Sequence, residues 1–239
     1  MNPRALAEIL AGAAADAVAV PQLSIEHHLS LADAYAVQRL VVDARRRPRT
    51  GVKLGLTSRA KALQMGVSDV ILGELTEDMA IEDGGSLDPA RFIHPRVEPE
   101  VAFLLRDGEV KGVAPALEII DSRYQDFRFN LVDVVADNTS AAAYVLGPWQ
   151  RADQDIGNRG VVMEIDGRVV ETGSTAAILG HPQRATEAAA RLARTIALPM
   201  PGEMVLLAGA ATAAVTLKPG VVVEARISTL GRVGFTYIF

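Results

Sequence analysis

The sequence predicts an α+β fold, with helices gathered in the first fifty residues and strands dominating the remainder. Two observations carry this. Residues 1–50 are rich in helix formers and hold an apolar stripe at helical spacing, whereas from Gly51 onward the chain breaks into short apolar runs separated by Gly, Asp and Pro. The strand-like runs also lack the regular alternation with helices that builds a doubly wound sheet. With 239 residues, 49% of them hydrophobic, the chain is long enough to bury a substantial core. No repeat, low-complexity tract or linker interrupts it, so residues 1–239 read as one domain with a helical N-terminal region (1–50) and a β-rich core (51–239).

Taken in order, Leu6 to Val18 are mostly strong helix formers, and Ser30 followed by Asp33 is a variant capping box. Ala34, Val37, Val41 and Ala44 then recur on one helical face, until "RRRPR" at 45–49 ends the helix, since Pro48 cannot continue it and cations suit a C-terminus. "GVKLGL", "VEPEVAFLL", "VAPALEII", "VVMEI", "VVVEARI" and "VGFTYIF" are strand candidates, and Asp166-Gly167 is a two-residue hairpin signal. One helix interrupts them: after His181-Pro182, Ala185, Ala189, Leu192 and Ile196 repeat at helical spacing until Pro199 and Pro201 stop it.

Composition removes several functions. A net charge of −5 leaves no broad basic field for nucleic acid or an anionic membrane surface, which points to a small soluble partner. The absence of cysteine excludes disulfides, thiolate metal sites and a cysteine nucleophile. Glu8 and Asp16 interrupt the Ala-rich start as a signal-peptide core or membrane span would not tolerate, so a cytoplasmic protein is expected. Neither a glycine-rich dinucleotide or phosphate loop nor a G-x-S-x-G nucleophile elbow is present.

The polar residues inside apolar runs are the functional candidates. Glu98 and Glu100, two apart on a strand, aim two carboxylates at one spot while Val97 and Val101 face the opposite layer. In a dry site such a pair needs a cation between its oxygens or a proton on one of them. Glu118 in "APALEIIDSR" offers a third acid, and three carboxylates suit octahedral Mg²⁺ or Mn²⁺ better than tetrahedral zinc. On spacing alone the alternative of solvated acids on an edge strand stays open. Lys53, between Val52 and Leu54, reads as a carboxylate anchor, a proton donor or a lysine snorkelling from a sheet edge. Asp78 and Asp137-Asn138 are turn formers by type. His94 reads as structural or surface, and His27, His28 and His181 lack zinc-ligand spacing.

Taken together, "GVKLGLTS", "AKALQMGV", "FIHPRVEPEVAF", "ALEIIDSRYQDFRF", "VVADNTS" and "TGSTAAILGHP" resemble the hydratase/decarboxylase family of the fumarylacetoacetate hydrolase superfamily, from about Ala32 to the C-terminus. The resemblance implies a mixed β-sandwich roll with an N-terminal helical region and a Mg²⁺- or Mn²⁺-dependent lyase of meta-cleavage aromatic catabolism. Carried over by motif, Glu98, Glu100 and Glu118 are the metal ligands, Lys53 lines the substrate pocket, Asp78 transfers protons and Ser174 contacts substrate. The implied substrate is a small 2-oxo acid. Two activities follow: decarboxylation of 2-oxo-3-hexenedioate, towards which "IDSRYQDFRFNLVDVVADNTS" leans, or hydration of 2-hydroxypenta-2,4-dienoate, to which "LTEDM" is closer. A homo-oligomer, or a complex with a related hydratase subunit, is expected. Two other readings are a non-catalytic partner of the same fold, and a carbon–carbon bond hydrolase with Glu26 and His27 as its acid/base dyad. Between Glu100 and Glu118 the chain is shorter than is usual in such relatives, which carry a helix there.

Overall fold

The computed structural model describes residues 2–58 and 69–239; the "AKALQMGV" stretch at 60–67 lies outside them. The helical region begins with α1 (Pro3–Asp16), whose first turn is closed by the Asn2 side chain accepting from the Arg4 amide, and whose end is Ala17 in a left-handed conformation. A single turn, α2 (Leu23–Glu26), leads to α3 (Leu31–Ala44), where Ser30 and Asp33 form the complete reciprocal capping box. The apolar stripe of α3 packs with Leu6 and Leu10 of α1 and with Tyr124, which is fully buried. Each buried leucine there contributes about 1.5–3 kcal/mol relative to exposure.

The β-rich part forms two sheets. The first six strands are β1 (Arg49–Gly55), β2 (Ile71–Thr76), β3 (Ala80–Ile81), β4 (Ser86–Leu87), β5 (Arg96–Arg106) and β6 (Glu109–Ile120). After a short helix α4 (Leu131–Ala136) come β7 (Ala141–Leu146), β8 (Gln150–Arg151), β9 (Gly160–Ile165) and β10 (Arg168–Ser174). The helix α5 (Arg184–Thr195) precedes β11 (Glu203–Ala210), β12 (Val215–Thr216), β13 (Val221–Ile227) and β14 (Gly231–Tyr237). The larger sheet runs β2-β1-β11-β5-β6-β7-β3, with β12 added to β5 and β8 to β6; the smaller runs β10-β9-β13-β14-β4. Between the sheets, Val97, Leu117, Ile119 and Val145 meet Met163, Val223, Val233 and Phe235. The apolar face of α5 packs with Val101, Phe103 and Leu206 in a second core.

Two prolines lie inside the longest strands, where a missing N–H would ordinarily break a ladder. Pro99 sits where β5 exchanges one neighbour for another: Glu100 pairs with Ala210 of β11, Val97 with Val215 of β12. Pro115 lies at the matching seam on β6, between the residues paired with β8 and those paired with β7. The short stretch between Glu100 and Glu118 is a closed hairpin. Arg106 pairs with Glu109, and Asp107 and Gly108 both take positive φ (51° and 83°), the two-residue turn that matches strand twist. Asp166-Gly167 makes the predicted turn in the same way.

Candidate metal centre and substrate pocket

Strand alternation sends Glu98 and Glu100 to one side of β5 and Val97 and Val101 to the other. On β6, Glu118 stands directly opposite Glu98 in the antiparallel register, so its side chain shares that side. One carboxylate oxygen from each of the three glutamates lies within 4.8 Å of the others. Lys53 comes from β1, which is separated from β6 by β11 and β5. In a flat sheet that separation would be about 14 Å. Yet Lys53 Nζ lies 3.0 Å from Glu118 Oε1, so the pair spans the concave face of a curled sheet. The same face carries Ala102, Ala114 and Ala116, which are fully buried in a small core with Leu75, Met79, Tyr144 and Leu207.

All four charged residues are buried, none exposing more than 5% of its surface. Burial pushes Glu100 well above the usual carboxylate range, the charge of Glu118 adds to this, and Lys53 opposes it. Glu118 is also raised, chiefly by burial, with Lys53 pulling the other way. Glu100 Oε2 accepts from the Gly209 amide at 2.7 Å, but Glu100 Oε1 and Glu118 Oε2 have no hydrogen-bond partner among the described residues. Buried carboxylate oxygens without donors are costly unless a cation completes them. A hard divalent ion with oxygen ligands fits this donor set.

The supports of the cluster come from distant segments. Gly209 has φ +111°, and a Cβ there would fall 2.1 Å from Thr57 Oγ1, so only glycine lets the β11 backbone reach Glu100 under the "GLTS" segment. Lys53 donates to the Thr139 carbonyl at 3.1 Å. That carbonyl belongs to three consecutive left-handed residues, Asn138, Thr139 and Ser140, at φ +49° to +57°. Such backbone persists only when surroundings over-determine it. Here the Asn138 amide donates to the Glu74 carbonyl and accepts from the Glu74 N–H, both at 2.8 Å, and Arg123 pairs with Asp137 in a buried ion pair. Burial pushes Asp137 up to about 6, with Arg123 opposing the shift. Gly73, paired with Lys53, is needed as well, because a Cβ would stand 2.7 Å from the Asn138 carbonyl.

A cavity of about 270 Å³ opens beside Lys53 and Glu98, walled by Thr57, Ser58, Ala177, Ala211 and Thr212. From "TGSTAAILGHP" it is therefore Ala177 that faces the cavity. Ser174 is spent locally, donating to Asn158 Oδ1 at 2.8 Å and accepting from the Ala176 amide. Asp78 is not brought to the cluster. It follows Thr76, which pairs with Arg49, whereas Lys53 pairs with Gly73, about 13 Å further along β1. Arg45 and Thr76 hold the Asp78 carboxylate at 2.6 and 2.7 Å and lower it, despite opposing burial, so it is an ionised structural partner. His94 is structural: it bonds the Ser122 carbonyl at 2.8 Å and stacks on Phe127. His181 accepts from the Gln183 amide at the start of α5. Glu26 is exposed, and with His27 it closes α2 in the helical layer. Gly209 and Thr57 were not singled out by sequence. Their signal is a glycine within a strand-like run, "LLAGAAT", and a hydroxyl directly after "KLGL".

The curled sheet with an inward trio of glutamates defines the fold class of the fumarylacetoacetate hydrolase superfamily. Fumarylpyruvate hydrolase from Pseudomonas aeruginosa shares that fold, with a TM-score of 0.61 over 81% of this chain and 90% of its own, at 14% identity. No family model matches the sequence. Whole-chain relatives do: a 4-oxalocrotonate decarboxylase from a Pseudomonas species is 46% identical, covering 97% of this chain and 96% of its own length. A 2-keto-4-pentenoate hydratase from Paraburkholderia xenovorans is 36% identical over 86% of this chain and 83% of its own. The 4-oxalocrotonate decarboxylase of Pseudomonas putida G7, solved with magnesium and adipate, matches at a TM-score of 0.93 and 34% identity over 99% of this chain and 97% of its own. This chain belongs to the hydratase/decarboxylase family of that superfamily. Its members named here are lyases. Among the described residues no helix is long and apolar enough to cross a membrane.

Proposed function

We propose that the chain is a divalent-metal-dependent decarboxylase that converts 2-oxo-3-hexenedioate (4-oxalocrotonate) to 2-hydroxypenta-2,4-dienoate and CO2. The observation that carries the reading is the buried trio Glu98, Glu100 and Glu118 beside Lys53, in which Glu100 Oε1 and Glu118 Oε2 have no donor among the described residues while Glu98 and Lys53 line a cavity. The similarity to decarboxylases along the whole chain supports it. Glu98, Glu100 and Glu118 would hold Mg²⁺ or Mn²⁺, and the bound ion would act as a Lewis acid on the carboxylate and carbonyl oxygens of a 2-oxo acid.

The remaining work falls to the chain itself. Decarboxylation breaks the bond between C5 and C6, and its electron pair forms C4=C5. The C3=C4 pair moves to C2=C3, and the C2 carbonyl oxygen takes the displaced pair. Lys53 is a buried cation with a proton to give, held by the Thr139 carbonyl and Glu118. In this reading it attracts the developing negative charge and supplies the proton that completes the enol. Thr57, Ser58, Ala177, Ala211 and Thr212 line the cavity in which a substrate would lie.

Purified protein should release CO2 from 2-oxo-3-hexenedioate with Mg²⁺ or Mn²⁺ and cease to do so with chelator. Hydration of supplied 2-hydroxypenta-2,4-dienoate without CO2 release from the enedioate would make the protein a hydratase instead. A protein of this fold that binds no divalent cation would be a non-catalytic partner.

A further inference from the structure

We propose that Arg96 is the specificity-determining anchor for the second carboxylate of the substrate, the one remote from the 2-oxo group. This rests on the reading of the chain as an enzyme acting on a 2-oxo diacid. Arg96 opens β5 two residues before Glu98, so strand alternation sends its side chain to the face that carries Glu98 and Glu100. Its guanidinium lies 3.9 Å above the centroid of the Phe127 ring. His94 lies against the same ring, 4.6 Å between centroids, itself fastened through Nε2 to the Ser122 carbonyl. Arg96 and Glu98 are two apart on β5 and share a side.

Two features set Arg96 apart. Other half-buried or buried arginines have carboxylate partners: Arg45 with Asp78, Arg123 with Asp137 and Arg159 with Asp155. Arg96, also half-buried, has neither an ion pair nor a hydrogen bond among the described residues, so stacking holds its plane while its N–H groups stay available. Asp126 and Phe127 moreover both occupy left-handed backbone, at φ +58° and +55°, a conformation that bulky residues rarely adopt. The loop thus places an aromatic ring under a cation that lacks an anion.

The spacing suits a six-carbon diacid. Two residues along β5 cover about 6.8 Å, and five carbon–carbon bonds in zigzag cover roughly 6 Å. A 2-oxo acid held by its first two carbons at the glutamates would therefore bring C6 toward the Arg96 fork, which accepts a carboxylate through two parallel hydrogen bonds. Because that carboxylate leaves as neutral CO2, the ion pair weakens on the way to the transition state. Arg96 therefore serves binding and selection rather than the chemical step.

The test uses Mg²⁺-loaded protein titrated calorimetrically with 2-oxoadipate and with 2-oxohexanoate, which share the 2-oxo acid head and differ in the distal carboxylate. Wild type should favour the diacid by about ten- to a hundredfold. Arg96→Gln should lose most of that preference and bind 2-oxohexanoate as before, and with the enedioate its KM should rise while kcat does not fall. Phe127→Leu should shift the diacid affinity in the same direction, which keeps the inference testable if Arg96→Gln fails to fold. Equal losses for both ligands, an unchanged diacid preference, or no preference in wild type would each overturn the assignment. If the enedioate yields no CO2 while diacid preference still depends on Arg96, the decarboxylase reading fails and the anchor stands; CO2 release with Arg96-independent selection fails the anchor alone.

Discussion

Replacing Gly209 by alanine tests whether the metal centre depends on a backbone that only glycine permits. The new Cβ would lie 2.1 Å from Thr57 Oγ1, 2.5 Å from Cγ2 and 2.7 Å from Cβ, at a residue whose φ is +111°. An L-residue in such backbone costs on the order of 1–3 kcal/mol, and overpacking a similar amount, giving about 4 kcal/mol together. For a chain of this size that is a fall in Tm of about 8–16 °C. The strain is relieved by withdrawing β11 from β5, which breaks the Gly209 N–H to Glu100 bond at 2.7 Å. Divalent-ion affinity should drop with stability. Thermal unfolding with and without Mg²⁺, together with direct metal titration, reads both. Thr57→Ala in the same chain removes two of the three clashing atoms and should recover part of the loss. A Gly209→Ala protein with parental Tm and parental metal affinity would refute the reasoning.

Glu100→Gln or Glu118→Gln should abolish metal-dependent turnover in a folded protein; full activity in either would remove the trio from the site. Lys53→Ala should weaken 2-oxo acid binding and slow turnover, and unchanged kinetics would take Lys53 out of the mechanism. Arg123→Met strands the buried Asp137 carboxylate and should cost about 3–5 kcal/mol in denaturant unfolding; a loss below about 1 kcal/mol would contradict the buried pair. Glu100 and Glu118 are both raised in the folded metal-free chain, so folding binds protons, and their contribution to stability is present below the ordinary carboxylate range and lost as pH rises through the raised values. Metal binding requires the ionised forms, so the Tm gain on adding Mg²⁺ should be larger at about pH 8 than at about pH 5; a gain independent of pH would contradict this.

Much of the fold was legible where a local rule applies. The Ser30 capping box, the helix after His181-Pro182 and the Asp166-Gly167 hairpin depend on residues within one or two turns of each other. Glu98, Glu100 and Glu118 stood out because carboxylates interrupt apolar strands, and the register that faces Glu98 with Glu118 brings them together. What was not legible depends on pairings remote in sequence. β11 reads as an ordinary apolar run, and that Gly209 meets Glu100 is set by a bulge in the β5 to β11 ladder. Asp78 looked functional by motif, but its place at the end of β2 hands it to Arg45. Asp107-Gly108 carried the same hairpin signal as Asp166-Gly167, and its two-residue turn makes the shortened stretch a regular connection.

The long-range hydrogen bonds of the site also order events during synthesis. Glu98 and Glu118 lie on one hairpin and can meet soon after residue 120 leaves the ribosome. Lys53 must wait for Thr139, and Glu100 waits for an amide 109 residues downstream. Non-local contacts of this kind form late. A nascent chain therefore presents three carboxylates without their final constraints, and ions that bind there can exchange. Only when β11 closes on β5 is the cradle fixed, so the choice of ion belongs to the finished chain rather than to whichever cation met it first.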